Sequence, residues 1–366
     1  MQALIVGSSG FIGKNLKKKL EQENINFFEV TKKTNKKKLE DYCKKVDVIF
    51  HVAGQNKSIL ESDFKKNNVL ITKKILDILT KNNLKTKIIY LSTIKYNEKN
   101  YYGKSKKEAE KVLLTFSKKN SSIVNILRLP NVFGKWCKPN YNSFVTTMFY
   151  NIPRNINFIK LDLMKKIKLI HIDDVTSLMF ELAFKKSNAL ITNVKPEKIL
   201  SINKLYNLIK KMWLCHKDGY LYNFKSNFER KLYSTFLTYL PSKKITREIK
   251  MYQDKRGFFS ELLKNKTTGQ ISVFSINPGK TRGQHYHNIK NEKFIILNGK
   301  VIFKTKNLIS NKTLSKEINS NKITEIISVP GTVHEIKNIG ESIAIVLLWS
   351  DEIYDKNNPD TFFNTI

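Results

Sequence analysis

Two groups of residues in this chain have the types and spacing to do chemistry. In Tyr102-Gly103-Lys104-Ser105-Lys106, the tyrosine and second lysine stand four residues apart at the opening of a helical stretch. That spacing puts both side chains on one helix face. An ammonium beside a phenol favours the phenolate, so Lys106 is expected to draw the Tyr102 pKa down toward neutrality, as proton transfer requires. Upstream, Gly7-Ser8-Ser9-Gly10-Phe11-Ile12-Gly13 leaves an apolar run and opens a helix. Glycines so placed permit a tight turn, let backbone approach a pyrophosphate and let helix and strand pack closely. The second group begins at His285-Tyr286-His287, whose histidines sit two apart on a strand and so point to one face. Three of the six histidines fall between 285 and 334.

The elements that must position these residues follow two different periodicities. Up to about residue 200, apolar runs (3–6, 26–30, 46–52, 87–91 and 124–129) alternate with amphipathic stretches (14–23, 67–81 and 104–118). Strand and helix taking turns predicts a doubly wound parallel sheet of Rossmann type with helices on both faces. Residues 200–240 read as helical and aromatic and end in Leu240-Pro241-Ser242, the expected linker. Beyond about 248, short strand-like runs separated by turn residues predict a small all-β barrel or sandwich, with a hairpin turn at Asn298-Gly299 and loops over 306–322. The expected domains are 1–245 and 246–366.

With its Gly-x-x-Gly-x-x-Gly spacing, the first domain resembles the extended branch of the short-chain dehydrogenase/reductase family. His51-Val52-Ala53-Gly54, Ser92-Thr93 at a strand end and the Tyr-x-x-x-Lys pair fall in that family's order. The resemblance implies nicotinamide cofactor contacts from Gly7, Gly10, Phe11, Ile12, Gly13, Val52, Ala53, Gly54, Tyr102, Lys106 and Pro130. It implies proton transfer to a sugar oxygen by Tyr102, with Lys106 in support and Thr93, or alternatively Ser92, bonded to the same oxygen. Asn131, after Arg128-Leu129-Pro130, is implied to reach a nucleotide-sugar phosphate. Sugar dehydratases of that family carry an Asp-Glu pair where this chain has Ile94-Lys95, so a 4,6-dehydratase is not expected. Glu29-Val30-Thr31-Lys32-Lys33 ends the second strand; Thr31 and the lysines suit a 2′-phosphate, so NADP(H) is expected, although Glu29 argues for NAD. His171, ahead of Asp173-Asp174, reads as a structural histidine before an Asp helix cap.

The second domain resembles the cupins. Gly279, His285, His287, Glu292 and Gly299 keep the spacing of the first cupin motif, and His334 and Asn338 that of the second, where Pro330 directly precedes Gly331. The resemblance implies metal ligation by His285, His287, Glu292 and His334, a mixed nitrogen and oxygen set suited to zinc or another divalent metal. The pairing of the two domains, with 133–143, 232–235, 239–241, Lys290-Asn291-Glu292-Lys293-Phe294 and Pro359-Asp360-Thr361, resembles a family of bifunctional capsular-polysaccharide enzymes. For this chain that implies C3 epimerisation of UDP-2-acetamido-2,6-dideoxy-4-keto-L-hexose by the cupin half. Reduction of C4 with NADPH by the other half follows, toward UDP-N-acetyl-L-fucosamine. A single-function NADP reductase, or an epimerase holding NAD, with a non-catalytic cupin is the alternative.

Composition bounds the partners. The charge is 66 − 31 = +35, yet only six of the basic residues are Arg, and Lys is spread along the whole chain. Readers of bases and phosphates lean on Arg, so nucleic acid is not an expected partner. The apolar run 343–349 is far short of the roughly 20 residues of a membrane-spanning helix. Cys43, Cys137 and Cys215 are isolated, and Ala3–Val6 runs straight into the glycine turn without a signal peptide, so a cytoplasmic enzyme is expected. Both halves belong to classes that commonly pair, implying a homodimer.

Overall fold

The structure, a computed structural model, describes residues 1–157, 162–185 and 190–366. It divides into two compact units, one formed by Met1–Lys210 with Ser226–Pro241, the other by Lys211–Lys225 with Ser242–Ile366. The first contains strands β1 (Gln2–Val6), β2 (Asn26–Val30), β3 (Val48–His51), β4 (Lys87–Thr93) and β5 (Val124–Leu129). Four more follow: β6 (Asn131–Phe133), β7 (Lys166–His171), β8 (Leu190–Asn193) and β9 (Lys198–Ser201).

Six of these make a parallel sheet in the order β2-β1-β3-β4-β5-β8. All residues of β3 and β4 are buried, as parallel strands covered on both faces must be. Alternate side chains feed two cores. Leu4, Val6, Ile49, Ile88 and Tyr90 pack with Ile75, Leu79, Ala109, Leu113 and Phe116. Ala3, Ile5, Phe50, Ile89 and Leu91 pack with Leu16, Leu20, Val175 and Met179 on the other face. Burying each such large side chain contributes about 1.5–3 kcal/mol. The strand order reverses between β1 and β3, which leaves a crevice at their carboxyl ends.

The named strands of the second unit pair antiparallel. Its strands are β10 (Met251–Asp254), β11 (Gly257–Asn265), β12 (Gly269–Ile276), β13 (Thr281–Tyr286), β14 (Glu292–Asn298) and β15 (Lys300–Asn307). They continue with β16 (Thr313–Asn319), β17 (Glu325–Ser328), β18 (Thr332–Asn338), β19 (Ala344–Ser350) and β20 (Phe362–Phe363). Two sheets, β10-β11-β12-β19-β14-β17 and β16-β15-β18-β13-β20, enclose Phe274, Ile276, Phe294, Ile296, Val301, Phe303, Ile336 and Val346, a jelly-roll arrangement. The expected loop over 306–322 contains β16, which pairs with β15 along its length. It was hidden because it is an edge strand with only Ile318 buried, so no apolar alternation marks it.

The stretch 200–240 is helical as expected, with helices Ile202–Asp218 and Asn227–Leu237, but it is built into the units. Leu221 and Asn223 bond Lys264, Asn265 and Thr267 of the β unit. Helix Asn227–Leu237 returns to the first unit through Tyr239, whose hydroxyl donates to the Gly134 carbonyl (2.9 Å) and accepts from the Cys137 amide (2.9 Å). Replacing Tyr239 by Phe strands a buried amide and carbonyl and is expected to cost about 1–3 kcal/mol, read as a lower urea midpoint at unchanged m-value.

Candidate functional site

Gly7 sits where β1 meets β3. Its φ is +97°, and a Cβ there would lie 2.7 Å from the Ala53 backbone. At Gly13 a Cβ would fall 2.3 Å from the Gly7 carbonyl oxygen, so only glycine lets helix Phe11–Gln22 seat on the turn. Gly7, Gly10 and Gly13 on one side and Val52, Ala53 and Gly54 on the other therefore flank the crevice at the carboxyl ends of β1 and β3.

Helix Tyr101–Asn120 starts earlier than the sequence suggested, because the Asn100 side chain accepts from the Gly103 amide at 2.8 Å. Tyr102 thus lies in the first turn, half-buried, with the Thr93 hydroxyl at the end of β4 beside it. Burial pushes its phenol up to about 12, against the Thr93 bond that lowers it. The expected depression by Lys106 is therefore absent. Lys106 is 5% exposed and its ammonium is directed elsewhere, to the Leu91 carbonyl (2.9 Å) and the Tyr90 hydroxyl (3.2 Å). Burial brings Lys106 down to about 8, an effect Glu110 partly offsets.

Ser92 faces away from Tyr102, since neighbouring strand residues alternate. Its hydroxyl bonds Glu110, which also receives the Arg128 guanidinium at 2.6 Å. Arg128 in turn lies 3.4 Å over the Tyr96 ring. Pro130 is buried, and exposed Asn131 donates its amide to the Lys168 carbonyl at 3.1 Å. His171 itself caps helix Ile172–Phe184, accepting from the Asp173 amide, rather than preceding an Asp cap. Glu29 is paired to Lys17 at 2.6 Å and held below its usual range by that bond.

The motifs pass over Asn68, Tyr90 and Glu110. Asn68 is fully buried in a π-helical turn, Lys65–Leu70, with its amide on the Ser105 hydroxyl (2.8 Å) and the Gln55 carbonyl (3.0 Å). An asparagine on an otherwise apolar helix face was the available signal. Glu110 continues the Tyr102 and Lys106 face by one more turn, and needed only the same i,i+4 count.

In the β unit, a bulge at Gly283 and Gln284 re-aims the end of β13, and His285 pairs with His334 of β18. Glu292 opens β14 between Ser328 and Ser350. One ligand atom from each of His285, His287, Glu292 and His334 lies within 4.8 Å of the others. Nε2 of His287 and of His334 stand 3.1 and 3.6 Å from Glu292 Oε2, both buried without an aligned hydrogen bond. Burial lowers His285 to about 4 and His334 to about 3. Burial also pushes Glu292 up, but His287 and the Lys290 charge more than offset this and hold it at about 2. Neutral imidazoles beside an ionised carboxylate, with lone pairs converging on one point, are the donor set a divalent metal needs.

Residues 3–194, over half the chain, match the NAD dependent epimerase/dehydratase family. The chain belongs to that family. Residues 252–362 match the polysaccharide biosynthesis C-terminal domain. A UDP-2-acetamido-2,6-beta-L-arabino-hexul-4-ose reductase of Pseudomonas aeruginosa is 36% identical over 99% of this chain and 98% of its own. The capsular polysaccharide assembling protein CapF of Staphylococcus aureus superposes over 100% of both chains with a TM-score of 0.90 at 34% identity. The UDP-glucose 4-epimerase of Thermotoga maritima, at 18% identity and TM-score 0.58 over 67% of this chain and 100% of its own, shares the fold. The chain is thus a nucleotide-sugar enzyme of oxidoreductase type, with a Rossmann unit followed by a jelly roll. No helix among the described residues is long and apolar enough to cross a membrane.

The two depressed histidines make the chelator-treated protein acid-sensitive. Their pKa values lie below the ordinary 6.5, so the unfolded chain takes up protons first, and stability present above pH 6.5 is lost as pH falls toward 4. Calorimetry of the stripped protein should show the melting temperature dropping across that window; a flat profile would contradict the burial of neutral imidazoles.

Proposed function

We propose that this chain is a bifunctional enzyme of surface-polysaccharide synthesis. Its second unit epimerises C3 of UDP-2-acetamido-2,6-dideoxy-4-keto-L-hexose, and its first reduces the C4 ketone with NADPH, giving UDP-2-acetamido-2,6-dideoxy-L-talose toward UDP-N-acetyl-L-fucosamine. What carries the reading is Tyr102, a half-buried phenol beside the Thr93 hydroxyl, in a chain akin end to end to a UDP-keto-sugar reductase. A protonated phenol is an acid, as ketone reduction requires. An epimerase that begins by oxidising an alcohol would need a base.

NADPH, when bound, would supply the hydride for C4. Tyr102 delivers the balancing proton to O4, while the Thr93 hydroxyl holds the same oxygen. Lys106 keeps a positive charge beside the site, and Asn68 anchors the helix opposite through Ser105. The turn of Gly7, Gly10, Phe11, Ile12 and Gly13 presents its amides to the pyrophosphate. Val52, Ala53, Gly54 and Pro130 would border the nicotinamide, and Asn131, whose amide donates to the Lys168 carbonyl, would have to leave it to reach a sugar-nucleotide phosphate. Lys17 neutralises Glu29, and Lys32 and Lys33 follow, which supports NADP(H) over NAD.

In the second unit, zinc or another divalent metal held by His285, His287, Glu292 and His334 would polarise a substrate oxygen as a Lewis acid. A C3 proton beside a C4 ketone is acidified because its loss leaves an enolate. The same reading places the enzyme in the cytoplasm as a homodimer.

The test follows NADPH absorbance with the UDP-4-keto sugar in deuterated water and locates deuterium by NMR. Oxidation with deuterium at C3 is expected. Oxidation without label would leave the second unit a scaffold, and no oxidation would sink the substrate. Tyr102→Phe should lower kcat by about 10²–10⁴ with the label at C3 retained. His334→Ala should remove the label.

Lys106 adds a pH signature. Rate should fall above about pH 8 as its ammonium loses its proton, and Lys106→Met should abolish that limb along with most of the activity. A wild-type profile flat to pH 10 would count against a lowered Lys106 pKa or against any need for its charge.

A further inference from the structure

The segment Pro359-Asp360-Thr361 was singled out in the sequence without acquiring a role. In the structure the Asp360 carboxylate accepts the backbone amides of Asn288 (2.9 Å), Ile289 (2.8 Å) and Lys290 (2.8 Å). Its carbonyl oxygen accepts a hydrogen bond from Nδ1 of His287. A carbonyl can only accept, so the ring proton is fixed on Nδ1 and the Nε2 lone pair is presented toward Glu292. The Thr361 hydroxyl accepts from the Lys290 ammonium at 3.2 Å, and that ammonium, on a residue 7% exposed, stands 3.4 Å from Glu292 Oε1. Phe362 and Phe363 then pair with Tyr286 and His285 as an added strand on β13, and the Phe362 ring stacks on Tyr286 at 5.2 Å.

We propose that Asp360–Phe363 is a strap whose docking positions the metal centre: the Asp360 main-chain carbonyl orients His287, and its carboxylate, by holding the 288–290 loop that carries Lys290 to Glu292, keeps that carbonyl in place. The inference rests on the metal reading of His285, His287, Glu292 and His334. Strap docking and metal occupancy are then coupled, each favouring the other. Asp360 is a positioning residue, touching no reacting atom.

The experiment uses the full chain, stripped by chelation, with zinc affinity read by competition against a chromophoric chelator. Wild type should bind zinc, and His285→Ala should not. Asp360→Ala, checked by circular dichroism, keeps the carbonyl but unties it from the 288–290 loop, and should bind about 10–100-fold more weakly, the range for a disturbed outer shell. Unchanged affinity in Asp360→Ala beside tight wild-type binding overturns the strap alone. Equal zinc binding by wild type and His285→Ala overturns the metal reading and the strap with it. A second measurement needs no variant: amide exchange at Asn288, Ile289 and Lys290 should slow when wild type is loaded with zinc. Identical exchange in the stripped and loaded forms overturns the coupling.

Discussion

Burying an ammonium costs several kcal/mol unless fixed dipoles replace its water, and the first unit is arranged around that cost at Lys106. The replacements come from β4, where the Leu91 carbonyl and the Tyr90 hydroxyl accept from it, and the Tyr90 ring lies 4.7 Å below the charge. Supplying them requires β4 to be central and fully covered, which is why its residues, Lys87 and the flanking Thr86 included, are buried. Glu110 could have paired directly with Lys106, but Arg128 and Ser92 occupy its carboxylate. Lys106 is left charged yet weakly compensated, and Tyr102 is left protonated.

Such an arrangement suits the proton delivery proposed for Tyr102. The phenol is half-buried, with the Thr93 hydroxyl beside it at the end of β4. Gly103 makes this possible in the backbone: a Cβ there would lie 2.5 Å from the Glu98 carbonyl, so a larger residue would push the helix start away from β4. The π-turn around Asn68 serves the same end from the opposite side, turning one amide group to both Ser105 and Gln55.

The β unit meets the same constraint with imidazoles. Three ring systems within 5.5 Å of one another would repel if protonated, and burial keeps His285 and His334 neutral. Each buried ring also needs its remote nitrogen satisfied. Ser328 meets His334 at 2.9 Å, and Asp360 meets His287 from a segment more than seventy residues away, just ahead of strand Phe362–Phe363.

Much of this was written in local order. The glycine turn, the Tyr102 and Lys106 spacing, the run of apolar strands and the His285 and His287 pair depend on contacts between near neighbours, and period alone places them. Period cannot see what distant segments do to one another. It missed the edge strand Thr313–Asn319, which has a single buried side chain. It could not tell that Thr93, not Ser92, faces Tyr102, because that depends on which side of β4 helix Tyr101–Asn120 covers. It led to a lowered tyrosine pKa where burial raises it, because spacing reports adjacency and not desolvation. The sequence by itself determined which chemical groups this protein carries and the elements that bear them. The tertiary structure alone decided their protonation and partners, since both are set by how much water the rest of the chain removes.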